Sequence, residues 1–331
     1  MSSFWNELKQ PSFMLAPMED VTDTAFREIV LRLSHPDHLQ VLYTEFTNTD
    51  GLCHPIGRDK VKSRLFVNPS ERALLKEKNV KLVAQIWGNK PDKFYEATKF
   101  IVENYDFDGI DINMGCPVKK VVKQGSCSAL IKFPDLAGEI IQATKAATDL
   151  PVSVKTRTGF SHPITEEWVS FLLKQNPAAL ILHGRTQKMQ TDFPAEWDEI
   201  GKAIALRNKL NLKIPIIGNG DVFSMQNASE LFQKYRPDGF MIGRGIFQNP
   251  WFFNPEHKIS VTDKLNTLLK HSRLYVETWG RERNFQVLKR FFKIYINDFN
   301  GAAALRAQLM ETNQLEEVEL IIQNFKKSNP I

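Results

Sequence analysis

Residues 214–221, IPIIGNGD, and 238–245, DGFMIGRG, share one design. A short run of branched or aromatic apolar residues breaks into a polar turn bracketed by glycines. Each run is too short for a helix and suits a strand buried on both faces. Glycines just past a strand let backbone N–H groups approach an anion closely. Either turn alone would serve equally well as a helix cap, so their place in the chain decides the reading. Six more runs of the same kind precede them: SFMLAPM (12–18), VLYTEF (41–46), KLVAQIWG (81–88), DGIDINMG (108–115), LPVSVKTRTG (150–159) and AALILHGRT (178–186). Amphipathic stretches such as PDKFYEATKFIVENY and PDLAGEIIQATKAAT lie between them, with Pro and Asp where a helix begins.

Eight candidate strands separated mostly by helices predict an α/β fold, an eight-stranded (β/α)8 TIM barrel. A doubly wound open sheet would place its glycine loop after the first strand. Here the first run ends in APMED, and the glycines follow the seventh and eighth runs, where barrels often bind a phosphate. From about residue 260 strand signals stop. VTDKLNTLLKHSRLYVETWG, NFQVLKRFFKIYINDF, GAAALRAQLMET and NQLEEVELIIQNFKK read as three or four amphipathic helices. The expected organisation is a catalytic barrel over 1–255 and a C-terminal all-helical domain over 256–331.

Composition bounds the rest. With 331 residues and 42% hydrophobic content the chain can bury one large core and a smaller one. A formal net charge of +5 suits an anionic partner without requiring one. The three cysteines, Cys53, Cys116 and Cys127, are too few and too irregular for a disulfide framework, and no His or Cys stands at zinc-site spacing. No metal is expected. The start, MSSFWNELKQP, lacks the pattern of a signal peptide, and no run approaches the roughly twenty apolar residues that span a bilayer. A cytoplasmic protein with no membrane association is expected, by default a monomer.

In a barrel of this kind functional groups gather at the C-terminal ends of strands. Met18, Glu45, Gln85, Asn113, Cys116, Lys155, Arg157, His183, Arg185, Asn219, Asp221 and Arg244 all fall at or just past such an end. One would mean little, but a dozen on successive strands describes a lined pocket. Arg244 would add a charge-assisted contact to a phosphate. Cys116 stands between Gly115 and Pro117 on a turn, where a thiol can reach a substrate as nucleophile or as general acid. A buried, inert cysteine is the commoner fate, and Cys53 and Cys127 are assigned to it.

The motifs APMEDVTDTAFR, TEF, QIWG, DINMGCPVKKVVKQGSCSALI, VKTRTG, LHGRT, GNGD and MIGRG, in this order and over nearly the whole chain, resemble the tRNA-dihydrouridine synthases. The combination of NMGCP, VKTR and HGRT is specific, whereas the glycine motifs alone would indicate only an FMN barrel. The resemblance implies bound FMN, NADPH as reductant and tRNA as substrate. It places Ala16, Pro17 and Met18 behind the flavin ring and Gln85, Lys155 and His183 at its polar edges. Asn219, Gly220, Asp221, Gly243 and Arg244 are placed at its phosphate end. Asn113, Cys116, Arg157 and Arg185 are expected to face a flipped-out uridine, with Cys116 as the catalytic residue. An unperturbed thiol keeps its proton at neutral pH, while Lys119, Lys120 and Lys123 nearby would favour thiolate.

The chain departs from the family's glycine- and alanine-rich pattern at QGSCSAL, 124–130, which puts backbone contacts to RNA there in question. The stretch RERNFQVLKRFFK, 281–293, carries five basic residues against one acidic and is expected to meet RNA phosphates, Lys289 and Arg290 among them. Two other readings fit parts of the pattern: an FMN barrel acting on a free pyrimidine, like dihydroorotate dehydrogenase, and a non-catalytic tRNA-binding protein. The appended helices argue against the first, and the joint presence of Cys116, Lys155 and His183 against the second.

Overall fold

All eight apolar runs form strands in the computed structural model, which describes residues 3–280 and 282–329. They are β1 (Ser12–Leu15), β2 (Val41–Tyr43), β3 (Lys81–Trp87) and β4 (Gly109–Met114), then β5 (Val152–Arg157), β6 (Leu180–His183), β7 (Ile216–Asn219) and β8 (Gly239–Ile242). Each pairs in parallel with the next, and β8 pairs with β1, so the sheet closes into a barrel. A two-residue strand, Thr47–Asn48, adds to β3 outside this circuit.

Strand alternation sorts the side chains into two cores. Phe13, Leu15, Ile110, Ile112, Val154, Leu182, Phe240 and Ile242 point outward into the layer beneath the helices. Met14, Val41, Tyr43, Val83, Ile181, Ile217 and Met241 point inward and fill the barrel, with Trp5 packed among them. Gln85, Asp111, Asn113, Ser153 and Lys155 share that inward parity, and the register sets Gln85 beside Asp111, Asp111 beside Ser153 and Asn113 beside Lys155. The barrel interior is therefore apolar below and polar toward the C-terminal ends of its strands.

The surrounding helices are α1 (Thr24–Leu33), α2 (Pro69–Glu77), α3 (Pro91–Asn104), α4 (Pro134–Ala146), α5 (Thr165–Lys174), α6 (Trp197–Lys209) and α7 (Met225–Tyr235). Three of them begin with proline, whose missing N–H costs nothing in a first turn. Arg27 of α1 and Glu71 of α2 are both fully buried and joined at 2.7 Å. Backbone carbonyls of Thr22 and Phe66 accept the other guanidinium hydrogens.

Beyond β8 come α8 (Val261–Trp279), α9 (Ala302–Glu311) and α10 (Leu315–Ser328). A capping box between Ser260 and Asp263 starts α8. The segment expected as one long helix around residue 290 is instead a 3-10 helix, Phe285–Phe291, running into a single α-turn, Phe292–Tyr295. Residues 288, 289, 291, 292 and 294–296 are all buried, and Gln286, Arg290 and Lys293 face solvent. His271 of α8 sits between Phe26 of α1 and Phe291, with ring centroids 5.7 and 4.7 Å away. The C-terminal helices thus share one apolar core with the barrel's outer layer.

Polar ties join the same parts at the rim of the barrel. Trp279 Nε1 donates to Asp23 at 2.7 Å, Asn68 Nδ2 to Thr278 at 2.8 Å, and Arg283 to Glu45 at 3.0 Å. Arg290 donates to the carbonyl of Asp20 at 3.0 Å. Among the described residues no helix is long and apolar enough to cross a membrane.

Candidate active site

The two glycine turns form one lip of a cleft at the C-terminal end of the barrel. Gly220 holds φ +118°, and a Cβ there would lie 2.8 Å from Ala195 Cβ and 3.0 Å from the His183 ring. Glycine is required at that position by backbone and by space alike. Gly243 differs. A Cβ there would meet only Ala16 Cβ at 3.8 Å, so no protein atom crowds it and the space it would fill belongs to the cleft. Ala16, Pro17, Met18, Lys155, His183, Arg185, Asn219, Gly220, Asp221, Gly243 and Arg244 line this cavity of 180 Å³, together with Thr191, Val222, Phe223, Met241 and Gly245. The open glycine and the free side of Arg244, with its side chain about half exposed, suit a phosphate bound against backbone. A groove of 520 Å³ at the opposite end of the barrel, around Pro151, Ala178 and Ile214, is larger but lacks such a cluster.

Arginines and one carboxylate organise the lip. Asp221 accepts from Arg185 on one oxygen and from Arg244 on the other, and the Ala195 N–H adds a bond at 2.8 Å. Burial alone would raise its carboxyl. The Arg185 bond and the Ala195 N–H outweigh that and hold it below the usual carboxylate range. The Asp221 carboxylate therefore aims two arginines. Arg185 is almost wholly buried, its Nε on the carbonyl of Phe193. Its Nη1 lies 3.1 Å from His183 Nε2. A guanidinium only donates, so that ring nitrogen accepts, and neutral His183 carries its proton on Nδ1. Burial, with Arg157, Lys155 and Arg185 around it, pushes His183 well below its ordinary value and keeps it neutral.

Lys155 projects into the same cleft. Burial, and Arg157 beside it, bring its ammonium down to about 8, against the opposing pull of Asp111. Asp111 is fully buried, and burial raises it to about 6 although Ser153 Oγ donates at 2.6 Å and Gln85 Nε2 at 2.7 Å. Sequence reasoning passed over Asp111, although its same-face spacing from Asn113 on one strand was a usable signal. Gln85, expected at the edge of a ligand, lies beneath the cleft with no exposure, giving one bond to Asp111 and accepting one from Asn113.

The β4 loop carries Cys116 and is held from below. Asn113 Oδ1 accepts from the N–H groups of Gly115 and Cys116, each at 3.0 Å. Arg157, also buried, donates to the carbonyls of Gly115 at 2.7 Å and Thr186 at 2.9 Å, clamping the β4 and β6 loops together. Asn113 and Arg157 thus serve the loop rather than facing outward. The Cys116 thiol is lowered to about 7. The hydrogen bond from Cys127 is the chief cause, opposed by burial and reinforced by the Val118 N–H, Arg157 and Lys155. The charges that act on it come from the barrel, not from the lysine run of 119–123.

The structure does not bring every expected residue to a surface. Lys289 is buried, and its ammonium donates to the carbonyl of Met310 near the C-terminal end of α9, a favourable place for a cation but not a phosphate-binding one. Arg283 is tied to Glu45 and lies 3.9 Å over the ring of Trp279. Arg290 remains part-exposed, Lys293 is exposed, and Arg281 lies outside the described residues.

Comparisons with known proteins agree with this architecture. A solved histamine dehydrogenase from Rhizobium sp. 4-9 superposes with a TM-score of 0.55 over 79% of this chain at 12% identity. The present chain spans about half of that one (48%), and the likeness is one of fold. A probable tRNA-dihydrouridine synthase of Staphylococcus aureus (strain COL) is 43% identical over 328 residues, covering 98% of this chain and 96% of the relative. A probable tRNA-dihydrouridine synthase 2 of Bacillus subtilis (strain 168) is 42% identical over 329 residues, covering 98% and 97%. The family model described as Dihydrouridine synthase (Dus) matches residues 14–329, from inside β1 to the end of the last helix. The chain belongs to the dihydrouridine synthase family.

Proposed function

We propose that this protein is a tRNA-dihydrouridine synthase that binds FMN in the barrel cleft, draws on NADPH, and reduces the carbon 5–carbon 6 double bond of a uridine in tRNA. The observation that carries the reading is the joint geometry of a phosphate-sized glycine lip and a thiol on the adjoining loop. Gly220, Gly243 and Arg244 would hold the phosphate, with Asp221 and Arg185 fixing the arginine. Ala16, Pro17 and Met18 form the apolar wall for a flat ring. Lys155 and His183 present an ammonium and an Nδ1–H to its polar edge, and the buried Gln85–Asp111 pair supports them from beneath. The chemistry that FMN supplies when bound is hydride delivery, replenished from NADPH.

The chain's own part in the reaction is a proton. The Cys116 thiol gives it to carbon 5 of the uracil, and the resulting thiolate is stabilised by the Cys127 hydrogen bond, Arg157 and Lys155. Asn113, Arg157 and Arg185 are positioning residues for this loop and lip. A uracil stacked in tRNA has to leave its stack to reach the thiol, at a cost of a few kcal/mol. We assign the compensating contacts to the helical region 256–331, which is tied to the barrel rim, with Arg290 and Lys293 available to phosphates. The protein is read as a cytoplasmic monomer.

Incubating the full chain with FMN, NADPH and tRNA lacking dihydrouridine tests the reading, with mass spectrometry of the digested tRNA as readout. A gain of two hydrogens on uridine is expected. No gain with flavin bound and NADPH consumed would point to a free-pyrimidine reductase. No gain without flavin reduction would point to an RNA-binding protein.

A further inference from the structure

The β4 loop rests on a second thiol that the proposed reaction does not consume. Residues 127–132 form a 3-10 helix that folds back against Cys116. Ser128 fastens the two segments, its hydroxyl and its N–H both donating to the Cys116 carbonyl, at 2.7 and 3.4 Å. Residue 127 is thereby held against Cys116, and after burial Cys116 is the chief influence on the Cys127 thiol, which is pushed well above its ordinary value. Cys127 has no solvent exposure, and its backbone lies in the left-handed region at φ +53°. Glycine would adopt that backbone freely, whereas a cysteine does so against its preference. A thiol kept on disfavoured backbone, buried against a single reactive neighbour, is suited to react with that neighbour.

We propose that Cys116 and Cys127 form a dithiol that closes reversibly to a disulfide when peroxide enters the cleft, switching off the proton donor and sparing it from irreversible oxidation. The effect on activity rests on the reading of Cys116 as proton donor; the bond itself does not. The Cys116 thiolate attacks one oxygen of hydrogen peroxide. An S–O bond forms, the O–O bond breaks, and the departing hydroxide takes a proton to become water. Cys127 then gives up its proton and attacks the Cys116 sulfur. An S–S bond forms, the S–O bond breaks, and a second water leaves. Two thiols are oxidised by two electrons and one peroxide is reduced to two waters, and a thiol reductant reverses the step. Cys116, lowered to about 7, is the thiol that reacts first at neutral pH. Burial, with Glu96 nearby, pushes Cys53 up to about 11 and keeps it out of the chemistry.

The test treats the full chain with hydrogen peroxide and digests it with trypsin under non-reducing conditions. Lys119, Lys120 and Lys123 lie between the two cysteines, so the digest separates them unless sulfur joins them. The expected product is the joined pair of peptides lacking two hydrogens, with dithiothreitol restoring dihydrouridine formation. In Cys127→Ala, Cys116 should proceed to sulfinic acid, and recovery after dithiothreitol should fall by about ten-fold. Wild-type Cys116 reaching sulfinic acid as fast as in Cys127→Ala, with no joined peptides, would overturn the proposal. Joined peptides with dihydrouridine formation untouched would overturn the switch, and with it the assignment of Cys116 as proton donor, so the two failures read differently.

Discussion

Gly243 and Gly220 stand at equivalent turns but answer to different constraints, and alanine at each separates binding from folding. At Gly243 the added methyl meets only Ala16 Cβ at 3.8 Å, an ordinary contact, and the backbone is not left-handed. The fold should therefore change by no more than about 0.5 kcal/mol. The methyl projects into the cleft, where a phosphate would otherwise lie against the N–H groups. Losing one charge-assisted hydrogen bond costs about 1.5–3 kcal/mol, or roughly ten- to hundred-fold in Kd. Gly220→Ala instead forces a methyl to within 2.8 Å of Ala195 Cβ at φ +118°. There the fold itself should lose at least about 2 kcal/mol. Flavin-fluorescence titration measures the first effect and thermal melting of the flavin-free protein the second. Gly243→Ala binding FMN within two-fold of wild type would refute the placement of the phosphate. Gly243→Ala melting as low as Gly220→Ala would refute the claim that only the ligand needs that glycine.

Cys116→Ala should retain FMN and NADPH oxidation while losing about 10²–10⁴-fold in uridine reduction, and full dihydrouridine yield from this variant would sink the general-acid assignment. In the wild type that reduction should decline above pH 7 as the thiol loses its proton. Cys127→Ala removes the largest stabiliser of the Cys116 thiolate and should raise that thiol by about one unit, slowing iodoacetamide alkylation at pH 7 about five-fold; an unchanged alkylation midpoint would contradict the thiol–thiol bond. His271 is buried and, for that reason, lowered to about 3, below its unfolded value, so its contribution to stability is complete above pH 6.5 and is lost as pH falls from there toward 3. His271→Leu should flatten that acid-side slope, by up to about 1.4 kcal/mol per pH unit, in denaturant melts taken across the range. Trp279→Phe leaves the buried Asp23 carboxylate short of a donor and should cost about 1–3 kcal/mol in the same melts, with no loss expected if the bond at 2.7 Å is incidental.

The barrel was legible because its signals are local. Eight short apolar runs, each closed by a polar turn, can be counted without knowing what they touch, and the C-terminal ends of strands then select Lys155, His183, Asn219 and Arg244 by topology alone. Burial against distant segments was not legible. Lys289 and Lys293 look alike in sequence, yet one caps the end of α9 and the other faces solvent, because only the folded core decides which side of a short 3-10 turn is inside. Gln85 lies at a strand end as expected, but the hydrogen-bonding side chains of Asp111 and Asn113 draw it below the cleft. Cys127 reads in sequence as an inert buried cysteine, and it is buried. What sequence could not show is that a loop returning over eleven residues sets its thiol against Cys116.

The ties between the C-terminal helices and the barrel rim also govern when the protein becomes competent. Asp23 waits for Trp279, Asp20 for Arg290, and strand β1 for strand β8, contacts between residues more than 220 positions apart in a chain of 331. Such long sequence separations slow folding and postpone it until nearly everything has been synthesised. A nascent polypeptide lacking its last third displays the unpaired edge of β1 and unanswered acidic groups at the rim, a form open to aggregation and to chaperones. Synthesis and competence are thereby separated in time: a chain unable to complete its own circumference has no cleft at all.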